Sequence, residues 1–228
     1  MTAQNPFAAF IRPDLAFPRR YLHLTPARPA ATGAEPGALD ILPFQWACRV
    51  ETAPGHVDQL GFIHLGSGPL EGEAIRALTE RLCEALGREG PIIVASGADT
   101  AMLRALARRL PKLADALSAA MARLVVLEQV SGVAARPASV TEALIDELDP
   151  DALILAVPLP RDDAEALRLY DALLDVQTPR ARRTGSTIAL THYGEQETQL
   201  LAEILTRLVA KLRRERDVDP GTSGPRPN

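Results

Sequence analysis

The sequence predicts an α/β domain: a mixed central sheet whose first three strands are antiparallel neighbours, with later strands added parallel and helices on both faces in three layers. Three observations carry this. Phe44–Glu51 alternates apolar and polar residues and is followed, after a Pro-Gly turn, by a second extended segment. Pro91–Ser96 is a short continuous apolar run bounded by turn signals, the mark of a strand buried on both sides. Most of the remaining chain carries apolar residues at helical spacing.

In chain order, residues 1–16 read as a flexible lead-in and Arg20–Leu24 as the first strand. Pro26 to Gly37 is a Pro/Gly/Ala-rich loop. In the second strand Phe44, Trp46, Cys48 and Val50 should share one face, and Gln45, Ala47, Arg49 and Glu51 the other. Ala53-Pro54-Gly55-His56 turns the chain into a partner strand over Val57–Leu65. Glu71–Leu86 is an amphipathic helix with Ile75, Leu78, Leu82 and Leu86 on one side, ended by Gly87 and Gly90. Helices over Asp99–Leu110 and Lys112–Met121 follow, the second set off by Pro111. Leu124–Glu128 is a further strand. Ser139–Leu148 opens on a capping box and reads as a short helix, and Asp163–Val176 as another. Arg180–Ser186 is expected as a basic loop, then a long helix from about Ile188 to Arg214, and a disordered tail over 216–228. One domain, 17–215, accounts for the rest.

The chain has 228 residues, 46% of them apolar, enough for a sizeable core. No stretch reaches the roughly 18 apolar residues of a membrane span, and the first residues lack the basic start and apolar core of a secretory signal. A cytoplasmic protein without membrane association is expected. Cys48 and Cys83 form no CxxC pair, so both are expected as reduced thiols rather than zinc ligands. The net charge of −4 and the 4% aromatic content argue against tight nucleic-acid binding or an aromatic stacking platform. A nucleophile elbow, a Walker-type loop, a dinucleotide-binding turn and HExxH are all absent from the sequence.

Four segments narrow the reading: Phe17-Pro18-Arg19-Arg20-Tyr21-Leu22-His23-Leu24-Thr25, Leu42-Pro43-Phe44-Gln45-Trp46-Ala47-Cys48, Ala95-Ser96-Gly97-Ala98-Asp99 and Tyr193-Gly194-Glu195-Gln196-Glu197-Thr198. In order and spacing, over roughly residues 15 to 212, they resemble an uncharacterised bacterial family, domain of unknown function 2779, which itself looks like a DEDD exonuclease. The resemblance implies a ribonuclease H-like fold. It also implies four carboxylates around two divalent metals, which generate the attacking hydroxide and stabilise the leaving oxygen. The first two acids come as Asp-x-Glu on a strand, so that both share a face. The last comes from a helix, one turn after a Tyr that positions the attacking water.

Here His23 and Thr25 stand at the Asp-x-Glu positions, on one face with Tyr21. Neither is a carboxylate, and imidazole suits zinc, copper or nickel better than magnesium. Asp99 stands at the third position, where it reads either as a metal-site remnant or as a helix N-terminal acid. Glu197 stands at the last, with Tyr193 retained, on the stripe of Leu201, Ile204 and Leu208. Tyr193, Glu197 and Asp99 are therefore the candidate catalytic residues. Asp99 and Glu197 are the candidate ligands for magnesium or manganese if any metal binds, with Glu195 or Asp40 as possible substitutes; otherwise no cofactor is expected. His192 is expected to be exposed, and His56 and His64 group with no other ligand. Arg180, Arg182 and Arg183 are the candidate contacts to phosphate. Arg213, Arg214 and Arg216 have a sufficient role at a helix C-terminus.

Three functions fit this pattern. The leading one is a degenerate DEDD-type 3′–5′ exonuclease-like domain, weak or inactive, acting as a binding or scaffolding module. The second is an active metal-dependent exonuclease with an altered site on Asp99, Glu197 and Tyr193, acting on single-stranded nucleic acid. The third is a protein-interaction module without nucleic-acid contact.

Overall fold

The computed structural model of the chain describes residues 17–27, 41–65, 72–128 and 159–218. The lead-in 1–16, most of the Pro/Gly/Ala-rich loop, Asp40, the helix expected over Ser139–Leu148 and residues 219–228 lie outside them.

Five strands form one mixed sheet: β1 (Arg19–Pro26), β2 (Pro43–Ala53), β3 (His56–Ile63), β4 (Ile92–Val94) and β5 (Leu124–Val126). Their spatial order is β3-β2-β1-β4-β5. β2 and β3 form the expected hairpin, turned by Gly55 at φ 77, a conformation that costs glycine nothing. β1 pairs antiparallel with β2 and parallel with β4, and β4 is parallel with β5. Only β2 therefore runs against the other four.

One face of the sheet carries α1 (Glu73–Leu86), α2 (Gly97–Arg109) and α3 (Ala114–Met121), the last introduced by a 3-10 turn at Pro111–Leu113. Here Leu22, Leu24, Trp46, Cys48, Ile92 and Val94 of the sheet meet Ile75, Leu78, Leu82, Leu103 and Leu106 of the helices, nearly all fully buried. Each such side chain contributes about 1.5–3 kcal/mol through burial. Trp46 joins the layers by donating Nε1–H to the Leu78 carbonyl at 3.1 Å. The C-terminal end of α1 is held by two guanidinium groups. Arg20 donates to the Ala85 carbonyl, and Arg123 donates to those of Leu86, Gly87, Glu89 and Gly90. These occupy the carbonyls a helix end leaves without partners.

The other face carries α4 (Asp163–Leu174) and α5 (Arg180–Val218). Tyr21, Ile93 and Val125 of the sheet pack against Leu201 and Leu205 of α5, while Phe44 packs with Ala166, Tyr170, Leu190 and Tyr193. α5 crosses β2 flush at Gly194, where a Cβ would lie 2.8 Å from both Ala47 Cβ and Gln45 Nε2. Gln45 then donates its amide N–H to the Leu190 carbonyl at 2.6 Å. Three layers result, as expected.

Two expectations are corrected. Phe44 does not share the Trp46 face. Thr25 pairs with Gln45 and Pro26 with Pro43, so Phe44 is the extra residue of a β-bulge. The bulge turns its ring to the opposite face, stacked on Tyr170 at 4.0 Å between centroids and 13° between planes. Second, Arg180–Ser186 is helix, not loop: α5 begins at Arg180, with Arg183 N–H donating to the Pro179 carbonyl at 3.0 Å. Pro179 supplies a stop to the preceding segment and so a start to α5.

Candidate functional site

At the carboxyl ends of β1 and β4, between α2 on one side and α4 and α5 on the other, lies a cavity of about 960 Å³. That volume is at the upper end of small-molecule sites. Its polar lining includes His23 from β1, Asp99 from α2, Asp163 from α4, and Tyr193 and Glu197 from α5. Four of the residues singled out by sequence thus meet in one place. Its apolar wall is formed by Leu24, Pro26, Ala98, Met102 and neighbouring alanines.

Each position follows from its element. The strand period puts Tyr21, His23 and Thr25 on the α5 face, all buried. Asp99 is in the first turn of α2, and Ser96 caps that helix, accepting from Ala98 N–H at 3.2 Å. Asp99 reaches back in two directions: Oδ2 accepts from Ser96 N–H at 3.3 Å and Oδ1 from Leu24 N–H at 3.4 Å. Both carboxylate oxygens therefore tie α2 to its own start and to β1. Tyr193 and Glu197, one helical turn apart, both face the cavity.

Asp163 was not anticipated. It sits one residue after the α4 cap Asp162, whose carboxylate accepts from Glu165 N–H at 2.8 Å. Asp163 Oδ1 accepts from the Tyr193 hydroxyl at 2.9 Å and lies 3.4 Å from His23 Nε2. The last is an ion-pair contact and not a well-aligned hydrogen bond, for His23 Nε2 is buried without a hydrogen-bond partner among the described residues. The rings of His23 and Tyr193 meet edge to face, 5.5 Å between centroids. From sequence alone the Asp162-Asp163 pair reads as ordinary helix N-terminal acids; only the packing of α4 beside α5 gives Asp163 a second role.

The electrostatics follow from this crowding. Burial alone would push the His23 imidazole down, but Asp163 beside it, with Glu197 and Asp99, overrides that and raises its pKa to about 9. Burial acts to raise Asp163 too, yet His23 and the Tyr193 hydroxyl bring it below the ordinary carboxylate range. Burial pushes Asp99 up, and His23 with the Ser96 and Leu24 amides pulls it back only in part. Burial also pushes Glu197 up; His23 opposes this, while Asp163 and Asp99 add to it. Burial and the nearby carboxylates hold Tyr193 far above an ordinary phenol, so it stays a hydrogen-bond donor.

The other sequence candidates lie elsewhere. Thr25 is fully buried beside His23, its Oγ1 without a hydrogen-bond partner among the described residues, and does not line the cavity. His192 is exposed as expected, and its Nδ1 is 3.1 Å from Glu195. Glu195 lines a smaller cavity of about 350 Å³ between β3 and α5. His56 is exposed at the hairpin turn. Arg180, Arg182 and Arg183 are exposed and do not line the large cavity. At 1.5 Å per residue, Arg182 stands roughly 20 Å along α5 from Glu197. Cys48 and Cys83 are free thiols, and burial pushes Cys48 up to about 12.

The donor set does not fit a two-metal centre. Both oxygens of Asp99 are engaged by backbone amides, Oδ1 of Asp163 is engaged by Tyr193 and His23, and His23 and Thr25 offer no anionic oxygen, which leaves Glu197 and the second oxygen of Asp163, too few for two metals. No group of three or more His, Cys, Asp or Glu side chains arranged to hold a metal ion occurs among the described residues. Nor is any helix among them long and apolar enough to cross a membrane.

No curated protein and no solved structure matches the chain. A family model does match, over residues 26–135, a range that takes in β2 to β5 and Asp99 but not His23, Asp163, Tyr193 or Glu197. That match supports the kinship suggested by the Pro-Phe-Gln-Trp segment: over those residues the chain is similar to the family described as Domain of unknown function (DUF2779).

Proposed function

We propose that this chain is a DEDD exonuclease-like domain of the ribonuclease H-like kind that does not cleave phosphodiesters through two metals, and that it serves as a binding or scaffolding module. One observation carries the reading. The His23 side chain, at the position where the resemblance would put the first metal-binding acid, lies against Asp163 inside the cavity. A cation supplied by the chain itself stands among carboxylates that would otherwise serve a divalent ion.

Two further points support it. The sheet order, with only β2 reversed, and the meeting of His23, Asp99, Tyr193 and Glu197 at the ends of β1 and β4 agree with the resemblance read from sequence. The metal logic of that resemblance is lost, because magnesium needs several free oxygen ligands in octahedral array.

The test is calorimetric titration of manganese and of magnesium into the purified chain, beside an Asp99→Ala/Glu197→Ala variant, with single-stranded DNA and RNA degradation followed in parallel. No metal uptake at about millimolar ion and no nucleotide release are expected. Metal uptake and cleavage that both vanish in the variant would overturn the reading, in favour of an exonuclease with an altered site on Asp99, Glu197 and Tyr193.

A further inference from the structure

We propose that the cavity is a binding site for a small organic cation, an amine or amidinium held by Glu197 with its apolar or aromatic body against Leu24, Pro26, Ala98 and Met102. This deepens the binding-module reading and rests on it.

The acids of the cavity are not equivalent. Asp99 has both oxygens on backbone amides, and Asp163 is shared between Tyr193 and His23. Glu197 accepts no hydrogen bond from the described residues, although it is half-buried and lines the cavity. A carboxylate taken partly out of water without a donor is a standing cost. A ligand N–H would remove it.

The charge balance selects the sign of that ligand. The lining holds Asp99, Asp162, Asp163 and Glu197 against protonated His23, Arg108 and Arg161, a formal balance of −4 plus +3, or −1. Arg108, Arg161 and Asp162 are exposed, so water and salt screen all three, and the negative balance rests on the inner carboxylates. An anionic group placed inside would meet uncompensated carboxylates, whereas a cation would complete the set. The remaining wall is aliphatic, which suits a ligand with an apolar body and a single charged head.

The experiment uses the full chain in buffer containing a chelator. Benzamidine and benzylamine are titrated by calorimetry, with benzyl alcohol and benzoate as neutral and anionic counterparts of similar shape. The expected result is binding of both cations, weaker by about tenfold or more for the alcohol and absent for benzoate. Glu197→Gln, which keeps the shape, should cost the cations a similar factor. Chemical-shift changes of the backbone amides of Ala98, Met102 and Glu197 in the unsubstituted chain give a second readout that needs no variant. No cation binding at about 10 mM, equal binding of the alcohol, or shifts confined to other residues would overturn the proposal. Because the chelator removes divalent ions, failure here is distinct from failure of the silent-domain reading, which the metal titration decides. Metal uptake together with cation binding would overturn that reading and leave this site standing.

Discussion

The hydroxyl of Tyr193 donates to Asp163 Oδ1 over 2.9 Å, which joins the first turn of α4 to the middle of α5. The bond commits the phenol to a protein carboxylate and takes it away from water in the cavity. Tyr193→Phe keeps the ring and its edge contact with His23 but removes the donor. It is expected to lower stability by about 1 kcal/mol, read as a shift in the urea midpoint at unchanged slope.

Stability should fall on the alkaline side. His23 has its pKa raised from 6.5 to about 9, so its favourable contribution is complete below 6.5 and is lost as pH rises through about 9. Asp99 and Glu197 are also raised, and they act in the same direction as they ionise. Asp163 is lowered from 3.8; its contribution is present above that value and is lost only in more acidic solution. Thermal melts should therefore show the melting temperature dropping between about pH 7 and 9, with a shallower drop in His23→Gln. Equal slopes in the two proteins would remove His23 from this role. The size of the effect is modest, since the Asp163 side chain is 44% exposed and solvent screens the pair.

Placing acids at the two β1 positions is expected to build a metal site. His23→Asp with Thr25→Glu places two carboxylates on one strand face, and removes the side chain that now pairs with Asp163. The double variant is expected to take up manganese in calorimetry where the unsubstituted chain does not. A folded double variant that binds none would show that the β1 positions do not correspond to the family's acid pair.

The seat of α5 can be tested at one atom. In Gly194→Ala the new Cβ would meet Ala47 Cβ and Gln45 Nε2 at 2.8 Å, so the helix must lift from the sheet. Overpacking of this kind costs about 1–3 kcal/mol. Chemical denaturation reads the loss, and the Gln45–Leu190 hydrogen bond should weaken with it.

Arg180, Arg182 and Arg183 lie in the first turns of α5, where the helix dipole disfavours positive charge, and no acid is present in the first turn. Arg182→Glu is expected to raise stability by about 0.3–1 kcal/mol at low salt, with the gain shrinking as salt is added. A loss of stability would mean that the guanidinium makes a contact that outweighs the dipole.

Much of this was legible in the sequence because it depends on period. The strand period placed Tyr21, His23 and Thr25 on one face, and the helical period placed Tyr193 above Glu197; both arrangements hold. What was not legible depends on packing between distant segments. Asp163 carries a sufficient local explanation as a helix-start acid, and nothing in its neighbours signals that α4 will lie beside α5. Arg180–Ser186 has charge, a glycine and little apolar spacing, all of which suggest a loop, yet the helix that follows propagates back to Pro179. The alternation of β2 is clean from Gln45 onward and fails at Phe44, where the ladder rather than the composition decides the direction of the side chain.

The irregularity at Phe44 matters beyond its own ring. With unbroken parity along β2, the ring would lie under α1, and Tyr170 would have no flat partner on the sheet. α4 would then lose its stacked aromatic contact with the sheet and keep its packing against α5 and β1, the packing that holds Asp163 near His23. One inserted residue in a strand ladder therefore supplies a flat aromatic seat for a helix well over a hundred residues later in the chain.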